Sequence, residues 1–381
     1  QMKIVIAVDS FKESLSSMQV ARAIEAGFQT VYPDATYVKI PVADGGEGTV
    51  QALVDATKGK TVNVRVKNPL GKEVPSYYGI LGDKKTAVIE MATACGLDLL
   101  EEDEKNPLEC STFGFGQLIL NAMDKGITSF ILGLGGSATN DAGIGMLQAL
   151  GVKFLDEEKK EIGFGAKYIQ DIKHIDTSKL DSRLKNIKFK VACDVSNILC
   201  GEQGATYVFG PQKGLSPTQL PQLDTHIKNF AHLCEQTFER KTQIIKGCGA
   251  AGGLGFGLIT FLNASLLSGI DIVLNRVNLD QALEGANLII TGEGKMDSQT
   301  INGKVPVGVA RRAKKKNLKV IAICGAVEKG YEEVYENGID AVFDTVQKVD
   351  SLENVLLNAY DNVKSSAENI ARILSLNISE H

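Results

Sequence analysis

The sequence lacks the features that mark several classes of protein. No uninterrupted apolar stretch in its 381 residues reaches the ~18 needed to span a bilayer, and the opening segment "MKIVIAVD" carries no secretory cleavage pattern. The net charge of −5 provides no general basic field that would attract nucleic acid or an anionic membrane surface. We therefore expect a cytoplasmic protein without a nucleic-acid or membrane partner.

Cysteine and histidine are too scattered to form a recognisable centre. The seven cysteines contain no CxxC pair and the four histidines do not cluster near them, which argues against a zinc site, a disulfide framework and Ser–His or Cys–His catalysis. The Walker motif G-x-x-x-x-G-K-[ST] is missing, as are the HRD and DFG motifs of protein kinases. A nucleotide, if one binds, is held outside those two schemes.

Short apolar runs alternate with helical patterns towards both ends of the chain. "KIVIAVD" precedes a helical pattern at residues 17–28, and "NLIITGEG" precedes another at 305–315. Such alternation is typical of a doubly wound, parallel α/β sheet. The centre is richer in glycine and less regular, and "YYGILGDKKTAVIEM" predicts an antiparallel hairpin around Gly82-Asp83.

This pattern predicts two α/β domains. A discontinuous Rossmann-like domain, with a doubly wound parallel sheet, is expected from residues 1–67 plus 284–381. A second α/β domain, residues 68–283, is inserted into it. We expect the active site in a cleft between the two.

Acidic residues follow four of the predicted strands. They are Asp9 after "KIVIAV", Asp44 after "YVKIPV", Asp194 after "FKVAC", and Glu293 with Asp297 after "NLIIT". One such acid alone is an ordinary helix N-cap. Four strand ends together favour a shared site for a metal and a polar substrate, because ligands of open α/β sheets bind beyond the carboxyl ends of the strands.

The segment "FILGLGGSATNDAGIGMLQAL", residues 130–150, passes from an apolar strand through a small polar loop into a helical pattern. Gly135 and Gly136 allow the backbone to approach a ligand closely, and amide groups at a helix start attract anions. Ser137 and Thr139 add hydroxyl donors, and Asn140 or the following Asp141 could cap the helix. A phosphate cradle is therefore favoured over a simple tight turn.

A rival interpretation of the same segment is a dinucleotide fingerprint. Residues 133–138 fit the variant G-x-G-x-x-A, and Asp156 ends the next predicted strand. The protein would then be an NAD(P)-dependent oxidoreductase acting on a small hydroxy acid, but the acidic strand ends would have no role. A third alternative is a non-catalytic sensor of a small acid, although the sequence offers neither a DNA-binding helix pattern nor a basic patch.

Two further glycine-rich segments leave alternatives open. In "GCGAAGGLGFGL" the residues Gly252 and Gly253 indicate either tight helix packing or a second anion-binding loop. In "YVFGPQKGLSP" we expect Lys213 to lie in a turn, as a solvated loop lysine unless Asp194 lies in the site, in which case it could reach a phosphate.

Several of these segments recur in one known family. The matching stretches run in order from residue 9 to residue 311: "DSFKESLS", "IPVADGGEGT", "GGSATND", "ACDV", "VFGPQKG", "GAAGGLG", "TGEGKMDSQT" and "NGKVPVGVAR". With them the chain resembles the bacterial glycerate kinase family of the glycerate 2-kinase type. The resemblance implies ATP-dependent phosphorylation of D-glycerate with magnesium as cofactor, giving 2-phosphoglycerate. Formation of 3-phosphoglycerate is the alternative that the sequence itself leaves open. The resemblance also implies two α/β domains that enclose a cleft.

Strand-end placement assigns hypothetical roles for direct in-line phosphoryl transfer. We expect one of Asp194, Asp297 and Glu293 to act as the proton acceptor. Asp194 and Asp297 are also the expected metal ligands. Lys12 with Ser10 is expected to bind the carboxylate of glycerate, and we count Lys12 among the catalytic residues. The other candidates for the substrate are Asp9, Asp44, Gly45, Ser298, Thr300 and Lys304, and Lys295 is a further candidate for the transferring phosphate. Those for ATP are Gly135, Gly136, Ser137, Thr139, Asn140, Gly252 and Gly253. A homo-oligomer is possible.

Overall fold

The computed structural model describes residues 1–376 and Ile378. Its strands are β1 (Lys3–Val8), β2 (Thr36–Pro41), β3 (Lys60–Lys67), β4 (Glu73–Ile80), β5 (Thr86–Glu90), β6 (Ser129–Gly133), β7 (Lys153–Leu155), β8 (His174–Asp176), β9 (Lys188–Ala192), β10 (Ser265–Leu267), β11 (Leu288–Thr291), β12 (Lys295–Met296), β13 (Val320–Cys324), β14 (Ala326–Val327) and β15 (Ala341–Asp344).

The α-helices of this part of the chain are α1 (Ser17–Gln29), α2 (Thr49–Thr57), α3 (Ala92–Cys95), α4 (Phe113–Asp124), α5 (Ile144–Ala149), α6 (Ala205–Lys213), α7 (Gln219–Phe238), α8 (Ala250–Leu262), α9 (Gly269–Arg276), α10 (Leu279–Ala282), α11 (Val305–Lys314), α12 (Leu352–Leu357) and α13 (Ala359–Leu374). Short 3-10 helices lie at Leu97–Leu99, Glu102–Glu104, Pro107–Glu109, Ala166–Asp171, Ser182–Asn186 and Tyr331–Asn337. No helix among the described residues is both long and apolar enough to cross a membrane.

Contacts divide the chain into two compact units, the first made of residues 1–59 with those from 269 onwards and the second of residues 60–268. β3 lies in the second unit because it pairs with β4 there. α9 lies in the first, where it packs against α11. Independent domains with boundaries near residues 67 and 284 stay a prediction.

The sheet of the first unit is parallel throughout, with the strand order β15-β13-β11-β1-β2. The predicted α/β class with parallel strands is thus confirmed. When only the five strands of this sheet are numbered along the chain, the order read from β2 is 2-1-3-4-5, the flavodoxin-like variant of the doubly wound fold, and it reverses between β1 and β11. Ligands of such sheets bind beyond the carboxyl ends of the strands at this reversal, so the segments that follow β1 and β11 are the first place to look for a site.

β1 reads as a continuous apolar run because helices cover the sheet on both faces. Ile4, Ile6 and Val8 pack in one buried cluster with side chains of α1 and α13. Val5 and Ala7 alternate with them and are also fully buried, and α11 packs against β1 and β11. Burial on both sides fixes the register of β1, and with it the position of the residues that follow.

The second unit holds a mixed sheet with the order β10-β9-β6-β5-β4-β3. The hairpin predicted around Gly82-Asp83 is confirmed, since β4 and β5 pair antiparallel on either side of it. β5, β6, β9 and β10 run parallel, and Gly133 at the end of β6 lies opposite Ala192 at the end of β9. The segments after these two strands therefore leave the same edge of the sheet.

Candidate functional site

In the first unit, segments that follow the parallel strands surround a cavity of about 1050 Å³, which we call the acidic cavity. Its charged lining includes Asp9, Lys12, Asp44, Glu293, Lys295, Asp297 and Lys304. These residues come from segments after β1, β2 and β11 and from the start of α11. The structure thus brings together most of the residues expected to bind substrate or act in catalysis in this unit.

Asp9 and Glu293 stand at the point where the strand order reverses. The amide of Asp9 donates to the carbonyl of Gly292 over 3.0 Å, which joins the two segments, and the amide of Ser10 donates to Asp9 Oδ1 over 2.7 Å. Burial, with help from Asp44, raises the pKa of Asp9 to about 8. Burial likewise raises the pKa of Glu293 to about 7, against the hydrogen bond that Thr300 donates to it. Both carboxyls can therefore exchange a proton near neutral pH.

Lys304 provides a positive charge beside these acids. It occupies the N-cap position of α11, and its Nζ lies 3.1 Å from Asp44 Oδ2. Burial lowers the pKa of Lys304, but the charges of Asp44, Glu293 and Asp9 outweigh it and raise the pKa overall. The amide of Gly46 donates to the other oxygen of Asp44 over 3.0 Å. Lys304 stays charged at neutral pH and can bind an anion in the cavity.

The segment after β11 is folded tightly around Thr300. Its Oγ1 donates to Glu293 Oε2 over 2.8 Å and accepts from the amide of Asp297 over 3.2 Å. Asp297 Oδ1 accepts from the amide of Gln299 over 2.8 Å, and Lys295 Nζ lies 3.7 Å from Asp297 Oδ2. Thr300 therefore supports Glu293, and the side chain of Asp297 remains partly exposed towards the cavity.

The remaining predictions for this unit divide into two groups. Ser10 and Lys12 line the cavity, and Lys12 Nζ lies 3.9 Å from Glu47, which lines it too. Gly45, Ser298 and Thr300 are not among the described residues that line it. Their contact with substrate stays a prediction.

One wall of the acidic cavity was missed by sequence reasoning. Val346, Leu352, Val355 and Leu356 line it from the segment after β15 and from α12. Leu352 is 71% exposed although it is a large apolar side chain. The only signal was the helical pattern near residue 352, which did not reveal the direction in which its apolar face points.

In the second unit, residues 134–142 form the segment that we call the Ser137 loop. Gly135 and Gly136 are exposed, whereas the side chains of Ser137, Thr139 and Asn140 are buried. Neighbouring backbone holds the loop on both sides of Ser137, because Gly136 accepts from the amide of Leu97 and Ala138 donates to the carbonyl of Cys95. The helical pattern predicted after this small polar loop corresponds to α5, which begins at Ile144, eight residues beyond Gly136. Any anion at this loop meets exposed backbone of a loop instead of the first turn of a helix.

Asp141 fixes the far end of the Ser137 loop. It is 1% exposed and accepts hydrogen bonds from the amides of Thr112, Gly143 and Gly145 at 2.9 to 3.0 Å and from the Thr112 hydroxyl. Burial raises the pKa of Asp141, and these donors oppose the rise. The N-cap of α5 is Gly143, so the expectation that Asn140 or Asp141 caps the helix is wrong, although Asp141 accepts from the amide of Gly145 in the first turn.

Lys213 lies against the inner side of the Ser137 loop. The expectation of a solvated loop lysine is wrong, because Lys213 is the last residue of α6 and is only 3% exposed. Its Nζ donates to Ser137 Oγ and to the carbonyl of Thr139, each over 2.7 Å. Burial lowers the pKa of Lys213 to about 8. Gly214, with φ +113°, ends the helix here, and this C-terminal glycine was the signal that could have placed the lysine.

The glycines of α8 also press against the Ser137 loop. Gly252 has φ +63°, and a Cβ atom there would lie 2.1 Å from the carbonyl oxygen of Thr139. At Gly253 a Cβ atom would lie 3.0 Å from Cα of Ala142. Tight packing, one of the two alternatives for this segment, is therefore what the structure shows. A contact of Gly252 or Gly253 with a cofactor stays a prediction.

Asp194 follows β9 at the same sheet edge as the Ser137 loop, because Ala192 lies opposite Gly133. Its side chain is exposed. Within residues 1–376 and Ile378, no group of three or more His, Cys, Asp or Glu residues is placed to hold a metal ion. Magnesium usually takes only one or two protein carboxylates alongside phosphates and waters, so the proposed ligands Asp194 and Asp297 remain a prediction.

The dinucleotide fingerprint does not have the structural context that it requires. That fingerprint opens a helix and leads into a further parallel strand of the same sheet. Here α5 begins six residues beyond Ala138, and β7, which precedes Asp156, pairs antiparallel with β8 outside the main sheet. The observation that favoured an oxidoreductase is thereby removed.

With this geometry established, the chain was compared with known proteins. A family model described as the glycerate kinase family matches residues 4–375. The chain belongs to the glycerate kinase family. Among relatives of this kinase, a glycerate kinase of Haemophilus influenzae is 51% identical over 374 residues, covering 98% of this chain and 99% of that protein. A glycerate 2-kinase of Escherichia coli is 48% identical over 375 residues, covering 98% of each chain.

A solved structure extends the similarity to the fold. A crystal structure from Salmonella typhimurium LT2 matches this glycerate kinase family member with a TM-score of 0.91 and 47% identity over 98% of both chains. The family resemblance inferred from the sequence motifs is confirmed, and the chain is a kinase of this family.

Proposed function

We propose that the protein transfers the γ-phosphoryl group of ATP to D-glycerate and forms 2-phosphoglycerate. The observation that carries this proposal is the pair formed by the half-buried Asp9 and the buried Glu293, at the reversal of the strand order in a member of a kinase family. An alcohol must lose its proton as it is phosphorylated. A carboxyl with a pKa near 7, such as that of Glu293, is matched to accept it.

The acidic cavity is assigned to glycerate. Lys304, and Lys12 with Ser10, offer positive charge and donors for the carboxylate of glycerate or the transferring phosphate. Asp9 and Asp44 accept hydrogen bonds from its hydroxyls. Glu293 takes the proton from the attacking oxygen, while Thr300 holds the carboxyl of Glu293 in place through its 2.8 Å hydrogen bond.

The Ser137 loop is assigned to the phosphates of ATP. Its exposed Gly135 and Gly136 permit close approach of the backbone, and the buried ammonium of Lys213 lies behind Ser137. The oxygen-only donors of the candidate residues suit magnesium, with Asp297 and Asp194 as the proposed ligands. When bound, magnesium would neutralise negative charge on the phosphates.

A coupled assay of ADP release tests the proposal. ADP should form only when D-glycerate and magnesium are both present, and much faster with D-glycerate than with other small hydroxy acids. Phosphorus NMR of the product identifies the modified hydroxyl, with 2-phosphoglycerate expected and 3-phosphoglycerate as the alternative. ADP formation that ignores glycerate would refute the proposal. The cytoplasmic location and a homo-oligomeric state remain separate predictions.

A further inference from the structure

The ammonium group of Lys213 is buried, and no direct ion pair with a described residue neutralises its charge. Within the described part of the chain, its Nζ donates to the neutral oxygens of Ser137 and Thr139, and Asp141 acts on it only through its charge. Burial of an ammonium group is costly unless its charge is compensated. The nearby Asp141 helps to hold the proton on Lys213, but its carboxylate is already occupied by Thr112, Gly143 and Gly145.

The two hydrogen bonds of Lys213 control the geometry of the Ser137 loop. They join the ammonium group to residues 137 and 139, on either side of Ala138. Because Ser137 Oγ accepts from Lys213, its own hydroxyl hydrogen is left to donate to another partner. A hydroxyl that accepts from a cation is also a stronger donor. Ser137 directly follows the exposed Gly135 and Gly136, so this donor lies beside the accessible backbone.

A second observation shows that hydrogen bonding is incomplete next to Lys213. Thr139 Oγ1 and Asn140 Oδ1 are fully buried and have no partner among the described residues. The other end of the Asn140 amide donates to Thr206 Oγ1 over 2.9 Å, which ties the loop to α6. Buried polar groups are nearly always hydrogen-bonded, so these two oxygens are exceptions that a bound ligand or water would explain.

We propose that Lys213 is a positioning residue for a polyphosphate ligand: through Ser137 Oγ and the carbonyl of Thr139 it fixes the Ser137 loop and places a positive charge behind it. The loop then presents Gly135, Gly136 and the Ser137 hydroxyl to a phosphate group. The identity of the ligand as ATP rests on the proposed function. The structural role of Lys213 does not.

The test measures binding of magnesium-ADP and of inorganic tripolyphosphate by titration calorimetry. Lys213→Met keeps the length of the side chain and removes the charge, and we expect it to weaken both ligands at least tenfold. Ser137→Ala removes the partner hydroxyl and should also weaken both. Because Lys213 acts partly through Ser137, the double variant should lose less binding free energy than the sum of the losses in the two single variants. As a control, Lys167→Met removes an exposed lysine of the same unit that pairs with Glu109, and should leave binding within twofold.

Kinetics separate positioning from a general loss of stability. Lys213→Met should raise KM for ATP at least tenfold and leave KM for D-glycerate within twofold. Binding of both ligands within twofold of the wild type in a folded Lys213→Met variant, or additive effects in the double variant, would overturn the inference. If Lys213→Met does not fold, the test rests on Ser137→Ala alone. Unchanged binding of both ligands by Ser137→Ala would then overturn the inference.

The same titrations distinguish this inference from the proposed function. A wild-type protein that binds magnesium-ADP and tripolyphosphate with the expected dependence on Lys213, yet shows no turnover with D-glycerate, would refute the proposed substrate and support the positioning role. Turnover with D-glycerate that is unaffected by Lys213→Met, with unchanged ligand binding, would refute the positioning role alone.

Discussion

The acidic cavity and the Ser137 loop differ in the burial and in the hydrogen bonding of their charged and polar side chains. In the cavity, the ion pairs are partly exposed and their lengths range from 3.1 Å for Lys304 with Asp44 to 3.9 Å for Lys12 with Glu47. At the loop, the buried side chains of Lys213 and Asp141 make hydrogen bonds of 2.7 to 3.1 Å. The cavity can change its protonation and its ionic partners, whereas the loop holds one shape.

This contrast follows from what each region is made of. The cavity takes its groups from segments after separate strands, and carboxyls close to one another raise each other's pKa when they are buried. The loop is enclosed by α6 and α8, and Gly252 lets the backbone of α8 approach Thr139 without a side chain between them. A proton acceptor is therefore expected in the acidic cavity. A binding site for a ligand of fixed shape is expected at the Ser137 loop.

The largest expected effect tests the rigidity of the loop. Gly252→Ala places a methyl group 2.1 Å from the Thr139 carbonyl at a φ of +63°, so we expect the free energy of unfolding to fall by about 3 kcal/mol or more. Gly135→Ala is the matched control, since a Cβ atom there meets no heavy atom within 4 Å, and it should change stability by about 0.5 kcal/mol at most. Equal stability of the two variants in urea unfolding would contradict the packing described here.

The next effect tests proton acceptance in the cavity. Glu293→Gln keeps an acceptor for the Thr300 hydroxyl but loses the ability to take a proton, so kcat with ATP and D-glycerate should fall about 100-fold or more. Glu368→Gln, which removes a surface ion pair with Arg372 on α13, should leave kcat within about twofold. Retention of more than a tenth of the wild-type kcat by folded Glu293→Gln would exclude Glu293 as the proton acceptor.

A smaller effect concerns the dependence of stability on pH. The pKa values of Asp9 and Glu293 are raised to about 8 and about 7, so the folded protein binds these protons more tightly than the unfolded chain. Their contribution to stability is present at pH 4 and is lost as the pH rises towards 8. We expect Glu293→Gln to reduce the loss between pH 5 and pH 8 by about 2 kcal/mol relative to the wild type. If the free energy of unfolding, measured with urea, changes with pH by the same amount in the two proteins, the pKa of Glu293 is not raised by folding.

The convergence of acidic residues at the acidic cavity could be predicted from the sequence because it follows from a general rule. Parallel strands end at one edge of a sheet, so acids that follow them come together, as Asp9 and Glu293 do. The apolar wall of the cavity was not predictable in the same way. Val355 and Leu356 belong to a helical pattern in the sequence. The face of α12 that lines the cavity depends on how this helix packs, which the pattern does not show.

The region around the Ser137 loop was harder to predict because burial there arises from contacts between distant segments. Gly214 in "YVFGPQKG" indicates where the helix ends, but it does not reveal that Lys213 is buried, since the two partners of Lys213 lie more than 70 residues earlier in the chain. The glycine fingerprint at residues 133–138 was ambiguous for a similar reason. A short motif does not determine where the next helix begins or which strand pairs next, and these two features decided against a dinucleotide site.

The most direct test of the division of roles is a crossed measurement of KM for both substrates in Ser137→Ala and Asp44→Asn. We expect Ser137→Ala to raise KM for ATP about tenfold and to leave KM for D-glycerate nearly unchanged, and we expect Asp44→Asn to do the reverse. A reversed pattern, or an equal change of both KM values in both variants, would contradict the assignment of the phosphates to the loop and of glycerate to the cavity.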